Sequence, residues 1–291
     1  MKDRKPKPAI MQPRADQDLA LLARPELRPV RLLLEYWKPE LGLSDLGIHN
    51  TVVVFGSTRL LDPELAQRRL AEAEQQAARA PQDDGAARTL RAARRDLDLS
   101  RYYAIGRELG QIVGRAGSGP GDNRLVIVTG GGPGGMEAAN RGAYEVGAAS
   151  IGLNVVLAHP QPPNPYLTPE LSFQFRYFAL RKLHFMLRAC ALVALPGGYG
   201  TLDEVFETLC LIQTGKRSPL PVVLIGAEFW RRAIDFDFLV EQGMIDEAER
   251  RLFSFAESAE QTWRTIVDWY EARDMSPFDV PPADENGPET R

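Results

Sequence analysis

The string Pro196-Gly-Gly-Tyr-Gly-Thr-Leu-Asp-Glu204 brings glycines, a hydroxyl and acids together in one short stretch. Glycines let a backbone approach a ligand closely, and the free amides at a helix start can hold an anion. A carboxylate such as Glu204 can stabilise an oxocarbenium-like centre or orient an attacking water when a glycosidic bond breaks. Arg181 and Lys182 stand one predicted helix earlier. An arginine can hold an anionic substrate or stabilise a departing group. These residue types suggest an anionic sugar substrate handled by an acid and an arginine. The string also has a second reading. Thr201 followed by Glu204 is the S/T-x-x-E pattern of a capping box, in which the acid only secures a helix start.

Such residues need rigid elements to hold them. Ala191–Leu195 is a short apolar run, which predicts a buried strand before the glycines. Val205, Phe206, Leu209 and Ile212 recur at helical spacing after them. The same order of strand, glycine turn and helix occurs twice more. Thr51–Phe55 leads into Gly56-Ser57-Thr58-Arg59, and Leu125–Val128 leads into the glycine turn 130–135 and a helix over Met136–Val146. Further strands are predicted at 150–156, 173–175, 221–225 and near Phe253. Further helices are predicted at 26–38 (ending before Pro39), 102–113, 178–189, 228–240 and 259–272. This alternation predicts an α/β protein: a Rossmann-like three-layer fold with a parallel sheet, right-handed crossovers and helices on both faces. Ligands of such sheets sit beyond the carboxyl ends of the strands, near the switch in strand order. The turns at 56–59, 130–135 and 197–200 all fall at such ends, with Arg59 and Arg141 beside two of them.

The alternation spans residues 18–275, read as a single Rossmann-like domain. Residues 62–98 interrupt it. They are rich in Ala, Arg, Glu and Asp, and Pro81-Gln-Asp-Asp-Gly85 divides them. They predict an inserted charged helical hairpin, with a solvated face as the plain reading of its charges. The basic, proline-containing stretch 1–17 and the proline-rich acidic stretch 276–291 read as disordered tails. A formal net charge of -4 argues against a general nucleic-acid binder. No apolar run approaches the ~20 residues of a membrane span, and residues 1–17 lack the apolar core of a secretory signal. A cytoplasmic protein is expected. Cys190 and Cys210 lie in apolar sequence and read as buried thiols. No cysteine or histidine spacing suggests a metal site. His159, His184 and the tryptophans Trp230, Trp263 and Trp269 read as packing or surface residues.

A dinucleotide site needs G-x-G-x-x-G after the first strand, and an acid about 20 residues further on. The first strand here is followed by a single glycine, and the strand after the 130–135 turn ends in Val156-Leu157-Ala158 without an acid. A P-loop string is absent as well. Phosphate held by backbone amides remains. From the residues alone, turnover of a nucleotide and mere carriage or sensing of a nucleotide or cofactor stay as alternatives.

Three strings together resemble the LOG ("Lonely guy") family. They are Thr129-Gly-Gly-Gly-Pro-Gly-Gly-Met-Glu-Ala-Ala-Asn140, the Arg181-Lys182 pair and the P-G-G-x-G-T-x-x-E string at 196–204. Phe55-Gly-Ser-Thr-Arg59 and Gln213-Thr-Gly215 are similar to its bacterial branch, and the likeness covers about residues 27–272 apart from 62–98. That family comprises cytokinin riboside 5′-monophosphate phosphoribohydrolases, often labelled "lysine decarboxylase-like". The resemblance implies a Rossmann-like homodimer or higher homo-oligomer. It implies hydrolysis of the N-glycosidic bond of adenosine-type nucleoside 5′-monophosphates such as AMP, giving free base and ribose 5-phosphate, with no metal or organic cofactor. It makes Arg181 and Glu204 catalytic. Gly197, Gly198, Gly200 and Thr201 would hold the phosphate. Lys182 and the turn with Gly131, Gly132, Gly134 and Gly135 would line the nucleotide site, which Gly56, Ser57, Met136, Tyr199 and Asp203 complete. Decarboxylation through pyridoxal phosphate would need a Schiff-base lysine. Beyond residue 38 the chain offers only Lys182 and Lys216. Lys182, next to Arg181, reads better as an anion ligand.

Overall fold

The computed structural model describes residues 11–156 and 162–279 of the chain. Among the described residues a short helix, α1 (Leu19–Ala23), and a long one, α2 (Arg28–Asp45), precede the first strand, β1 (Asn50–Phe55). Along β1, Val52 and Val54 enter the core on one face of the sheet, and Val53 and Phe55 enter it on the other. A strand apolar on both sides suits the centre of a parallel sheet. A helical hairpin follows, formed by α3 (Pro63–Arg79) and α4 (Asp84–Arg115). Then come β2 (Leu125–Thr129), α5 (Gly135–Glu145), β3 (Ser150–Val155), β4 (Ser172–Phe175) and α6 (Phe178–Leu187). The second half contains β5 (Ala189–Ala194), α7 (Tyr199–Gln213), β6 (Val222–Ile225), α8 (Ala227–Ala233), α9 (Phe236–Glu241), β7 (Phe253–Ala256) and α10 (Ala259–Glu271).

The strands form one seven-stranded sheet in the order β4-β3-β2-β1-β5-β6-β7, with every pairing parallel. The chain builds outward from β1 to β4, then returns to lay β5 on the free edge of β1. The strand order therefore reverses at β1, and the turns after β1, β2 and β5 become neighbours. Leu43 of α2, Phe185 of α6, Val205 of α7 and Trp230 of α8 pack on one face. Tyr102 and Leu109 of α4, Ala139 of α5 and Tyr270 of α10 pack on the other. This is the three-layer α/β fold expected from the alternation of elements.

Several boundaries depart from the sequence expectation. The helix expected to stop before Pro39 continues to Asp45 with Pro39 buried inside it. An interior proline costs about 3 kcal/mol. Tertiary contacts on both sides outweigh it: Leu43 is in the core, and Glu35 and Glu40 are tied to another helix. The apolar side of α2 is not covered, since Val30, Leu33, Leu34, Trp37 and Leu41 are all exposed. The hairpin forms, but its second arm does not end at residue 98; α4 runs unbroken from Asp84 to Arg115 and doubles as the crossover helix after β1. The two arms meet through small side chains at heptad spacing, with Ala66 and Ala73 facing Ala86 and Ala93, all buried. Asp62 and Asp83 cap the arms by accepting from the amides of Glu64 and Gly85.

The single helix expected over 228–240 is two. Asp235 interrupts it by capping α9 through the amide of Phe238 at 3.0 Å. The expected disorder from residue 276 fails at its start. Phe278 packs on the core, and its carbonyl accepts from Asn50 Nδ2 at 3.0 Å. The remainder of that stretch, residues 1–10 and His159 lie outside the described residues. Cys190 is buried, but Cys210 is exposed, contrary to its apolar sequence context, because α7 turns that position away from the core. Trp230 is fully buried and Trp263 and Trp269 pack at the core edge.

Candidate active site

The carboxyl ends of β1, β2 and β5 enclose a cleft of about 680 Å³, within the size range of small-molecule sites. From β1 it takes Phe55, Gly56, Ser57, Thr58 and Arg59, and from β2 Gly130, Gly132 and Met136. Asn154 and Val155 close one end, Phe178 and Arg181 of α6 form a wall, and Gly198 to Leu202 with Glu204 of α7 close the other end. The turns thus meet where the strand order reverses.

The α7 end is built for an acceptor. Gly198 is the N-cap, and no side chain satisfies the first helical amides. Such unpaired amides attract anions. Thr201 therefore does not cap the helix, contrary to the capping-box reading. The helix starts three residues earlier than that pattern requires, and the amides of Thr201 and Leu202 both bond to the Gly198 carbonyl at 3.0 Å. The Thr201 side chain instead folds back against Gly197, where any added methyl would collide with it. Glu204 loses its capping role with it and stands one turn inside the helix.

Glu204 is almost completely buried, and its Oε1 has no hydrogen-bond partner among the described residues. Arg181 Nη2 lies 3.8 Å from that oxygen, an ion-pair distance rather than a hydrogen bond. Burial drives the Glu204 carboxyl up to about 7, against the opposing pull of Lys182 and Arg181. Desolvation likewise lowers the pKa of Arg181, although Glu204 and Asp203 act against it. The Arg181 guanidinium lies over the Phe178 ring, 4.4 Å from its centroid. A buried acid poised near neutrality beside a buried arginine is a candidate pair for acid–base or charge-stabilising chemistry.

The other residues singled out in the sequence divide into two groups. Gly56, Ser57, Gly132, Met136, Gly198, Tyr199, Gly200 and Thr201 line the cleft with Arg181 and Glu204. Gly131, Gly134, Gly135, Lys182, Gly197 and Asp203 stand behind that lining. Gly131 and Gly134 have φ of 70° and 74°, and a methyl added to Gly135 would come within 3.3 Å of the Gly56 Cα. Lys182 Nζ is held between Asp203 at 2.9 Å and Glu207 at 2.8 Å. It is therefore committed to α7 and poorly placed for a Schiff base. Lys216 is exposed on a turn beyond α7. Arg59 reaches the cleft, whereas Arg141 is tied to Asp62 at 2.8 Å and Glu145 at 3.0 Å.

The sequence reading did not single out Thr58, Gly130, Asn154, Val155, Phe178 or Leu202 as lining residues. Thr58, Gly130 and Leu202 lay inside strings already under scrutiny. Asn154 carried no local signal, because only the pairing of β3 beside β2 brings it to the cleft. Thr129, Asn140 and Asn164 form a buried network under the 130–135 turn. The Thr129 hydroxyl donates to Asn140 Oδ1 at 2.7 Å, and Asn164 Nδ2 donates to the Gly132 carbonyl at 3.1 Å. Among the described residues no cluster of three or more His, Cys, Asp or Glu side chains could hold a metal ion. No described helix is long and apolar enough to cross a membrane.

Fold and cleft together define an α/β protein with a cleft at its topological switch point, beside the uncapped start of α7. Comparison with known proteins agrees with the resemblance read from the motifs. Residues 136–266 match the family model described as "Possible lysine decarboxylase". The chain is similar to the probable cytokinin riboside 5′-monophosphate phosphoribohydrolase LOG4 of Oryza sativa subsp. japonica. The two are 31% identical over 141 residues, which is 47% of this chain and 60% of that one. It is 34% identical over 91 residues to cytokinin riboside 5′-monophosphate phosphoribohydrolase LOG1 of Arabidopsis thaliana, covering 31% of this chain and 42% of that one. The chain spans from about two fifths to three fifths of the length of these two similar proteins. A solved structure of the Moco carrier protein from Chlamydomonas reinhardtii aligns at 19% identity and a TM-score of 0.44, covering 77% of this chain and 98% of that one.

Proposed function

We propose that this protein hydrolyses the N-glycosidic bond of an adenosine-type nucleoside 5′-monophosphate, giving free base and ribose 5-phosphate. The observation that carries the reading is the buried Arg181–Glu204 pair beside the uncapped start of α7. The 5′-phosphate binds the free amides around Gly198–Gly200, which sets the ribose against Glu204. As the bond from C1′ to the base nitrogen breaks, its electron pair leaves with the base, which takes up a proton. Positive charge spreads over C1′ and the ring oxygen. The Glu204 carboxylate stabilises that charge and accepts a proton from the water that adds to C1′. Arg181 holds the substrate anion and keeps part of the Glu204 population ionised.

The names of the curated relatives support a hydrolase and favour turnover over carriage. The decarboxylase wording of the family model is not adopted, because Lys182 is engaged by two carboxylates. Assembly into a homodimer or higher homo-oligomer belongs to the same proposal. The exposed apolar side of α2 supports it, and light scattering tests it. The central test is incubation with AMP and N6-isopentenyl-AMP followed by chromatography. Release of free base with equimolar ribose 5-phosphate is expected, and absence of release from either nucleotide would overturn the reading.

A further inference from the structure

The helix that carries Arg181 is held at both ends by one other helix, and that helix lies outside the region matched by the family model. At the start of α6, both carboxylate oxygens of Glu35 accept backbone amides, from Arg176 at 2.9 Å and from Tyr177 at 3.1 Å. Tyr177 is the N-cap of α6, and its hydroxyl accepts from Arg31 Nε at 3.0 Å. At the far end, Glu40 Oε2 accepts from Arg188 Nη2 at 2.7 Å, and Arg188 is the C-cap of α6. Glu40 Oε1 lies 3.3 Å from Nδ1 of the buried His184. Arg188 also donates to the carbonyl of Ile48 at 3.2 Å, just before β1. Two acids five positions apart on α2 thus grip the two ends of a ten-residue helix. Arg181 sits between them, one turn in.

The charges suit a clamp rather than a surface decoration. Glu35 meets amides that a helix start leaves unpaired, where a carboxylate is stabilised by the helix dipole as well. Glu40 is only slightly exposed and faces two basic side chains. Burial alone would raise its pKa, but His184 and Arg188 outweigh that and hold it below the ordinary glutamate value. Charge-assisted contacts of this kind are stronger than neutral ones and fix geometry. Arg181 needs such support. Its own attachment to Glu204 is loose, and its Nε is buried without a hydrogen-bond partner among the described residues. The position of its guanidinium is therefore set by where α6 lies.

We infer that Glu35 and Glu40 of α2 are positioning residues that set Arg181 against Glu204 by clamping both ends of α6. This deepens the phosphoribohydrolase reading and rests on it for its kinetic consequence. The geometric consequence stands apart. Lys182 and Arg181, both on α6, depress the Glu204 pKa against the upward push of burial and of Glu207 and Asp203 on α7, so moving α6 away shifts the Glu204 titration upward.

The experiment compares wild type with Glu35→Gln, Glu40→Gln and Glu40→Asp, and uses Trp230→Phe as a control that loosens the core of α8. Carboxyl carbon NMR follows the Glu204 titration, and nucleotide kinetics are run in parallel. In both glutamine variants the Glu204 titration is expected to rise by at least half a pH unit. Their kcat is expected to fall about tenfold or more, with KM within about threefold, since the phosphate grip on α7 is untouched. Glu40→Asp keeps the charge and recovers part of both effects. Trp230→Phe lowers the melting temperature without moving the titration. An unmoved Glu204 titration in folded glutamine variants overturns the inference, as does an equal movement in the Trp230 control. If wild type releases no base, the proposed activity fails while the titration still decides the clamp.

Discussion

The glycine turns at 130–135 and 197–200 look alike in sequence but differ in what their missing side chains make room for. At 130–135 the space is filled by the protein itself. A methyl on Gly131 would come within 2.5 Å of Asn154 Nδ2, and one on Gly134 would collide with the Ser57 carbonyl. Both have positive φ, which other residues rarely adopt. At the other turn, Gly198 and Gly200 have nothing within 4 Å of a would-be side chain. Neither has positive φ, and Gly200 lies in the first turn of α7, where glycine costs about 1 kcal/mol relative to alanine. The first turn holds strands and loops together; in the second, Thr201 fills the space at Gly197, whereas Gly198 and Gly200 leave theirs open. Glycine is explained by packing in one case and by an absent partner in the other.

The largest effect expected from breaking this contrast is at Glu204, the acid that the open turn presents. Glu204→Gln should lower base release by about three orders of magnitude, measured as kcat. The fold should gain from the same change. The carboxyl titrates at about 7 in the folded chain against an ordinary 4.5, so between those values the folded state holds a proton that the unfolded state has lost. Stability therefore falls as pH rises through that window, and the full penalty of about 3 kcal/mol is present by pH 8. Glutamine carries no such penalty. Thermal melts should show the variant above wild type at pH 8 and close to it at pH 4. The acting form is the carboxylate, so wild-type kcat/KM should rise with pH up to about 7 and level off above it. A falling limb across the same range would make Glu204 a proton donor instead.

Gly134→Ala probes the filled turn. It combines a positive φ with a collision against the Ser57 carbonyl, which already accepts from the Gly135 amide at 3.0 Å. A loss of roughly 2–4 kcal/mol is expected in denaturant unfolding. Gly200→Ala should do the opposite. Helix propensity predicts equal or slightly higher stability, by up to about 1 kcal/mol. The methyl would enter the space beside the amides proposed to bind phosphate, so KM should rise about tenfold with the melting temperature held or raised. An unchanged KM would mean that the open space beside Gly200 is not used.

The two turns could not be told apart in the sequence, because what fills the space comes from remote elements. Strand ends, glycines and alternation are local signals, so the three-layer fold and the meeting of the turns were legible. The start of α7 was not: the S/T-x-x-E pattern pointed to Thr201, and the choice of Gly198 as cap depends on the turn that leads in from β5. The continuation of α2 through Pro39 was hidden for the same reason. Its support comes from Arg176 and Tyr177, 141 and 142 positions away from Glu35. Lys182 read as an anion ligand from its neighbour Arg181, yet its actual partners are the carboxylates on α7 that face it across the packed helices.

Asn154 gives the smallest expected effect and the finest test of the contrast. It stands at the end of β3 with its carboxamide against Gly131 and lines the cleft. Gly131 therefore makes room for this amide as well as for the turn. In the sheet β3 is separated from β5 by β2 and β1, so Asn154 lies about 14 Å across from the strand that leads into α7. A nucleotide anchored by its phosphate on α7 would extend its base toward that side. A carboxamide offers one donor edge and one acceptor edge, the pair that adenine complements through its amino group and a ring nitrogen. Asn154→Asp keeps the size and removes the donor. It should lower kcat/KM for AMP by about fivefold and narrow the preference for AMP over IMP, with melting unchanged. Asn154→Leu should lower both substrates alike. If neither variant alters the AMP-to-IMP ratio, the β2–β3 side of the cleft acts only as scaffold, and ligand recognition belongs wholly to the open turn on α7.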